Sequence, residues 1–326
     1  MKRKSLLALA LAAVVATAIA AGLGMSRAQA APKLTHVTLQ LKWVTQAQFA
    51  GYYAALEKGY YKQAGLDVTL KVGGPDITPE QVVLAGQAEF GLDWLPNLFA
   101  TREKGGKLVS IAQVFARSGM TELTWKDSGI NTIKKMAGKK VGVWCCGNQP
   151  ELFAALTKNA KTGKLYQLSD LNVFKMASPS VGTGMLEDNI FTTEKYLSDP
   201  SHKQTMVNFL KASFQGWIYC RDHVSDCTNI VLKNGTALGH GHQLWQMNEI
   251  NKLVWPNAFG VGHVSPAQVA NTAKIAKTYG VVKKTPVKAT TYKYTDLALN
   301  ALKAAHVDIY GAKYRPIKVT VTAGGK

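Results

Sequence analysis

The chain has 326 residues, 47% of them hydrophobic, with 39 Lys and Arg against 20 Asp and Glu, a net charge of +19. That length suffices for two lobes of ordinary domain size. Its lysines are scattered, with only short doublets such as Lys134-Lys135, Lys139-Lys140 and Lys283-Lys284; no basic run is interleaved with aromatics, which argues against nucleic acid as a partner.

Residues 1–30 read as an export signal. Lys2-Arg3-Lys4 is a charged start, residues 6–21 form an uncharged apolar run, and Ala28-Gln29-Ala30 is a small-residue cleavage motif. The run is short for a spanning helix, and no cysteine adjoins the cut, so the expectation is a cleaved signal peptide, no lipid anchor, and a soluble periplasmic chain of residues 31–326. Removing four basic and no acidic residues lowers the net charge from +19 to +15. No other uninterrupted apolar stretch is long enough to cross a membrane.

Residues 36–41 alternate with period two, as a half-buried strand does. Residues 49–62 then read as one helix, with Phe49, Tyr52, Tyr53, Leu56 and Tyr60 on adjoining faces. Gly65 breaks the chain, and residues 66–72 alternate again as a second strand. After the Gly73-Gly74-Pro75 loop, Pro79 opens a helix to Ala85. Residues 90–92 form a short strand, 96–103 a helix and 108–115 the next strand. This rhythm predicts a parallel sheet with helices on its faces, an α/β fold. A further strand is expected at 139–144 and a helix at 150–156. Residues 178–188 have the Gly, Ser and Pro content of a crossing strand or loop between lobes. The later chain is mostly helical, at 202–219, 229–232, 241–254, 265–279 and 294–305, with Ser265-Pro266 a good start signal.

The four cysteines form two close pairs, and export places them where disulfides persist. In one continuous helix Cys220 and Cys227 would be separated by roughly 10.5 Å of rise, whereas a disulfide needs alpha carbons within about 7 Å. We read them as a structural disulfide, which requires the helix to break between them. A zinc site of Cys220, His223 and Cys227 lacks an obvious fourth ligand. Cys145 and Cys146 are adjacent and would bond only with strain; they read as buried thiols at a strand end, facing a pocket.

Enzyme signatures are absent. There is no G-x-S-x-G elbow, P-loop, dinucleotide fingerprint or H-E-x-x-H helix, and His240-Gly241-His242 reads as a turn and helix start. No cofactor or metal is expected. What stands out is an aromatic and amide-rich set at the carboxyl ends of predicted strands. Trp43 to Phe49 follows the first, Asp93-Trp94-Leu95-Pro96-Asn97 another, and Trp144-Cys145-Cys146-Gly147-Asn148-Gln149 a third. Open α/β sheets bind ligands at such ends. Tryptophans there stack on a flat ring while Gln and Asn read its donors and acceptors.

Leu41-Lys42-Trp43, Gln46-Ala47-Gln48-Phe49-Ala50-Gly51-Tyr52-Tyr53 and Glu57-Lys58-Gly59-Tyr60-Tyr61 resemble the opening of substrate-binding proteins of ABC importers. The branch holds sulfonate, nitrate, thiamine-pyrimidine and riboflavin binders together with thiamine pyrimidine synthases. Gly73-Gly74-Pro75-Asp76-Ile77 and Phe90-Gly91-Leu92-Asp93-Trp94 extend the match, and Trp144-Cys145-Cys146-Gly147-Asn148 is similar to the cysteine-glycine motif of the pyrimidine and riboflavin members. The resemblance implies a two-lobed, type II-like periplasmic binding protein with a hinge. Lobe one would span about 31–120 plus a C-terminal part, and lobe two about 121–220. It implies a monomer that binds one small molecule and delivers it to an ABC permease in the inner membrane. Carried over by position, Trp43 and Trp94 would stack on the ligand; Gln46, Gln48, Asp93 and Asn148 would be polar contacts, with Tyr52, Gln113 and Cys145 also facing it.

Two departures bear on function. The synthases donate a histidine and hold pyridoxal phosphate on a lysine, yet the matching stretch Gly86-Gln87-Ala88-Glu89-Phe90-Gly91 has neither. Members of the branch also carry several tens of residues between the points where Ala160 and Lys161 adjoin, so the second lobe is expected to be short near 157–161. The leading expectation is a receptor for a flat nitrogen heterocycle, a thiamine-precursor pyrimidine or riboflavin. A thiamine pyrimidine synthase-like protein, an aliphatic sulfonate or nitrate binder, and a non-binding relic are the alternatives.

Overall fold

A computed structural model describes residues 33–136, 139, 171–175, 184–235, 237–278, 280–286 and 288–320. The export signal, the strand expected at 139–144, the helix at 150–156, Cys145, Cys146, Asn148 and the shortened stretch at 157–161 lie outside the described residues, Lys139 apart.

The chain opens with β1 (Thr35–Gln40), then a 3-10 turn at Ala47–Phe49 leads into α1 (Ala50–Glu57) and α2 (Tyr60–Gln63). The helix expected over 49–62 is thus two. Gly59 takes a left-handed φ of 74° just past the end of α1, the conformation in which glycine stops helices. β2 (Leu66–Lys71), α3 (Pro79–Leu84), β3 (Phe90–Asp93), α4 (Leu95–Glu103) and β4 (Leu108–Gln113) follow. β5 (Thr121–Trp125) pairs antiparallel with β6 (Leu171–Lys175) in a separate two-stranded sheet. The chain returns through β7 (Asn189–Thr193), then α5 (Glu194–Ser198), α6 (Lys203–Asp222), α7 (Val224–Asn234), α8 (His240–Val254), α9 (Pro266–Thr278) and α10 (Lys293–Ala304). Among the described residues no helix is long and apolar enough to cross a membrane.

The larger sheet runs β2-β1-β3-β7-β4. β1 is parallel to β2, from Thr35 opposite Leu66 to Gln40 opposite Lys71, and parallel to β3. The all-parallel expectation is corrected at β7, which lies antiparallel between β3 and β4. β7 passes from the crossing segment straight into the gap, so it enters from the edge where β3 and β4 end. Its first residue, Asn189, therefore stands opposite both Asp93 and Gln113. The outer edge of β4 is covered by residues 289–291, with Ser110 N–H donating to the Ala289 carbonyl (2.9 Å) and Thr291 N–H to the Ser110 carbonyl (2.8 Å); a covered edge offers no template for strand addition.

Successive residues of a strand face opposite sides, and Ile190 and Phe191 of β7 join different apolar clusters. On one side α1, α6 and α10 pack over Val37, Leu39 and Ile111, with Trp217 fully buried. On the other, Leu95, Leu98 and Phe99 of α4 meet Ala273 and Ala276 of α9. α6 breaks at His223, where φ is −133°, before α7 begins. That break brings the Cys220 and Cys227 alpha carbons to 5.3 Å, and the two are disulfide-bonded.

α1 and α6 touch through main chain. A Cβ at Gly216 would overlap the Gly51 carbonyl, and one at Gly51 would overlap the Trp217 ring. Gly216→Ala is expected to destabilise the fold by about 1–3 kcal/mol, the usual cost of overpacking. Gly74 has open space at the same position, and Gly74→Ala should stay within about 0.5 kcal/mol of the parent. Urea unfolding of both variants checks this.

Candidate functional site

The carboxyl ends of β1, β3 and β4 and the entry to β7 converge on a buried polar cluster. Just past β1, Lys42 Nζ lies 2.9 Å from Asp93 Oδ2 at the end of β3, with both side chains largely buried. The other Asp93 oxygen accepts from Trp94 N–H (2.6 Å) and Asn97 Nδ2 (3.0 Å), which turns the chain into α4. Asn189 Nδ2 donates to the Asp93 carbonyl at 2.5 Å. From the turn after β1, Gln48 Nε2 donates to both oxygens of Asp188, at 2.9 and 2.8 Å. Gln46 Nε2 donates to Gln48 Oε1 (2.6 Å), and Gln246 Nε2 of α8 donates to Gln46 Oε1 (3.2 Å). The amides thus form a directed chain that ends on a carboxylate. Gln243, also on α8, accepts from Ala47 N–H at 2.7 Å and pins the turn.

Gln113, the last residue of β4, donates through Nε2 to the carbonyls of Phe115 (3.0 Å) and Glu187. Because carbonyls only accept, this fixes the side chain with Oε1 turned away from them. Among the described residues, the buried oxygens Gln113 Oε1, Asn189 Oδ1, Gln40 Oε1 and Glu80 Oε1 have no donor.

Acid groups dominate. Glu80, Asp93 and Asp188 are each 1% exposed and Glu187 6%. Burial pushes Glu187 up to about 8, with the Asp188 charge adding to it. Asp188 rises to about 7, again mainly by burial and then by Asp93, against the pull of Gln48 and Lys42. Glu80, in the first turn of α3, is held well above the usual carboxylate range by burial and by the adjacent Asp93. Such values mark carboxyls that keep a proton near neutrality.

The sequence-derived site residues fall in two groups. Gln46, Gln48, Asp93 and Gln113 meet in this cluster. Trp43 is half-buried where β1 leaves the sheet, and its carbonyl accepts from Gly73 N–H at 3.1 Å. Trp94 sits directly after Asp93 but is only 3% exposed. Tyr52 lies deeper, in the core between α1 and α6, edge-on to Trp217 at 5.6 Å. Burial and the Asp188 charge raise its phenol well above the ordinary value. Cys145 and Asn148 lie outside the described residues.

Sequence reasoning missed Lys42, Glu80, Glu187 and Asp188 as site members. A signal existed for the last two: an acidic pair directly before a short β-branched run, in a chain with 20 acidic residues in all.

Both Glu187 and Asp188 have folded-state values above their unfolded ones, so the folded protein holds extra protons at intermediate pH. Their stabilising contribution is complete below about pH 4 and is lost as pH rises through about 7 to 8. The unfolding midpoint is therefore expected to fall between pH 5 and 8.5. Asp188→Asn should recover part of that fall at pH 8.5, about 2–4 °C per kcal/mol, and gain nothing at pH 4. Thermal melts across pH check the sign.

Residues 46–164 match the family model described as NMT1/THI5 like. A putative thiamine biosynthesis protein of Haemophilus influenzae is 22% identical over 152 residues, 46% of this chain and 48% of that one. The formylaminopyrimidine-binding protein of Halalkalibacterium halodurans is 31% identical over 81 residues, 25% of this chain and 24% of that one. A Legionella pneumophila protein named 4-amino-5-hydroxymethyl-2-methylpyrimidine phosphate synthase is 25% identical over 108 residues, 33% of this chain and 34% of that one. The chain spans about half or less of the length of these curated relatives. Among solved structures, a Bordetella bronchiseptica protein superposes with a TM-score of 0.57 at 14% identity, covering 83% of this chain and 99% of that one. A putative periplasmic sulfonate-binding protein of Methylobacillus flagellatus gives 0.55 at 9%, covering 89% and 99%. A Candida albicans gene product described as having the generic periplasmic binding protein fold gives 0.50 at 14%, covering 89% and 99%. The chain has the periplasmic binding protein fold of these structures, and over residues 46–164 it matches the NMT1/THI5 like family.

Proposed function

We propose that this protein is the exported solute receptor of an ABC importer, and that its ligand is a flat nitrogen heterocycle carrying N–H donors. The observation that carries the ligand class is the acceptor surplus at the strand ends. Four buried carboxyls gather there, and Glu80 Oε1 and the amide oxygens of Gln40, Gln113 and Asn189 have no donor among the described residues, while Lys42 is already paired with Asp93. A buried acceptor without a donor costs about 1–3 kcal/mol, so a ligand that brings amino or ring N–H groups relieves the cluster. Sulfonate and nitrate bring only acceptors and negative charge into a cluster of acidic side chains. The tryptophans Trp43 and Trp94 just past the ends of β1 and β3 support a ring rather than an alkyl chain.

Gln48, Asp93, Asp188 and Gln113 are the polar readers in this proposal, Gln46 positions Gln48, and Trp43 and Trp94 flank the ring. Cys145 and Asn148 are assigned to the same ligand through their family motif. We place the crossing between lobes at residues 116–120 and 184–188, with β5 and β6 in the second lobe. A monomer delivering its ligand to an inner-membrane permease completes the reading. Relatives named as synthases favour an enzyme, but the stretch from Gly86 to Gly91 supplies neither of that chemistry's histidine and lysine.

The test is tryptophan fluorescence and thermal melting of residues 31–326 with 4-amino-5-hydroxymethyl-2-methylpyrimidine, riboflavin, taurine and nitrate. At a hundred times its dissociation constant, the true ligand should add about 2.7 kcal/mol. A heterocycle is expected to shift the melt and to lose that shift in Asp93→Asn. A response to taurine or nitrate alone would overturn the assignment.

A further inference from the structure

Glu187 is not among the residues assigned to the ligand above, yet its carboxyl is buried and engaged by three donors. Its Oε1 accepts from Ser118 Oγ at 2.8 Å, Gly119 N–H at 2.8 Å and Met120 N–H at 3.1 Å. Its carbonyl accepts from Gln113. The three donors lie on the chain leaving the large sheet for β5, and Glu187 lies on the chain returning to β7. One buried oxygen therefore ties the outgoing crossing to the returning one.

The tie sits just beyond two fixed points. On the outgoing chain, the Ala116 carbonyl accepts from Gln268 Nε2 (2.9 Å) and Ala116 N–H donates to the Leu253 carbonyl (3.0 Å). On the returning chain, Leu186 N–H donates to Thr272 Oγ1 (3.1 Å) and its carbonyl accepts from Leu95 N–H (3.2 Å). Both crossings are thus anchored to α4, α8 and α9 one or two residues before the tie. From the tie the outgoing chain runs on into β5, whereas on the returning chain the anchored Leu186 lies on the β6 side of the tie and Asp188 and β7 follow it. The next residue, Asp188, is held by Gln48 in the site, so tie and site are consecutive residues of the segment that leads into β7.

We infer that Glu187 is a positioning residue for ligand binding, which fixes the crossing between the two sheets so that Asp188 stays seated on Gln48. The inference rests on the receptor reading for its effect on affinity, but not for the tie itself. The charged groups around it fit an anchor rather than an ion pair. Asp188 is its acidic neighbour; the Arg117 guanidinium points away and donates to carbonyls at the end of α8, among them Pro256 (2.6 Å); Lys252 is paired with Glu249. Leu253 lies against Gly119 and closes the tie on the apolar side.

The experiment compares Glu187→Ala, Glu187→Gln and Ser118→Ala by amide hydrogen exchange without ligand. Affinity for 4-amino-5-hydroxymethyl-2-methylpyrimidine and riboflavin is measured alongside. In Glu187→Ala the Gly119 and Met120 amides should exchange at least about tenfold faster while the β1 and β3 amides keep their protection. Affinity should fall about tenfold. Glu187→Gln retains an acceptor oxygen and should restore both to within about threefold of the parent. Ser118→Ala keeps the carboxyl and both backbone donors and should give a smaller loosening, which stands as the test if Glu187→Ala does not fold. Asp188→Asn should weaken binding and leave Gly119 and Met120 unchanged. Unchanged exchange at those amides in both Glu187→Ala and Ser118→Ala would overturn the tie, as would a Gln variant no better than Ala. Absence of any ligand response in the parent would instead overturn the receptor reading and leave the exchange result standing.

Discussion

The site depends on one strand-order constraint, the antiparallel insertion of β7 between β3 and β4. Had the sheet been parallel throughout, the segment entering it after the crossing would start at the opposite edge, far from the carboxyl ends of β1 and β3. Because β7 runs the other way, its first residue pairs with the last residues of both neighbours. The residues just before it, Glu187 and Asp188, are delivered to the place where a parallel sheet exposes its ligand-binding edge. Backbone pairing thus does the positioning, and the side chains supply only chemistry.

That chemistry is unusually one-sided. Among the described residues these four carboxyls have Lys42 as a close cationic partner, and the elevated Glu187 and Asp188 values express the cost of burial as retained protons. A surface salt bridge would not behave this way: solvent screens it and sets its worth near zero. Here the depth of burial keeps the acidic groups beyond the reach of solvent screening.

Much of the first half of the fold was legible in the chain. Alternation at 36–41 and 66–72, Pro79 at a helix start and the break at Gly65 leave local signatures, whereas the helix stop at Gly59 was missed inside a run that reads as continuous. β7 was not legible as a central strand. It has five residues, both partners are remote, and its pairing to β3 and β4 is written in no periodicity. The same reason hides Glu187, Asp188 and Glu80: acidic residues are usually exposed, and burial here is imposed by the sheet and helices around them. For the tryptophans, position at a strand end could be read, while depth could not, since Trp94 and Trp43 have equivalent local sequence settings and different exposure.

The glycine contact between α1 and α6 sets a dimension of the molecule. The Gly51 carbonyl stands where a Gly216 side chain would lie, and the Trp217 ring where a Gly51 side chain would, so this distance between the two helices requires glycine at both positions. The turn carrying Gln46 and Gln48 runs directly into α1 and inherits that distance. The height of the amide-bearing turn above the sheet is therefore set in part by two glycines on different helices, far apart in sequence.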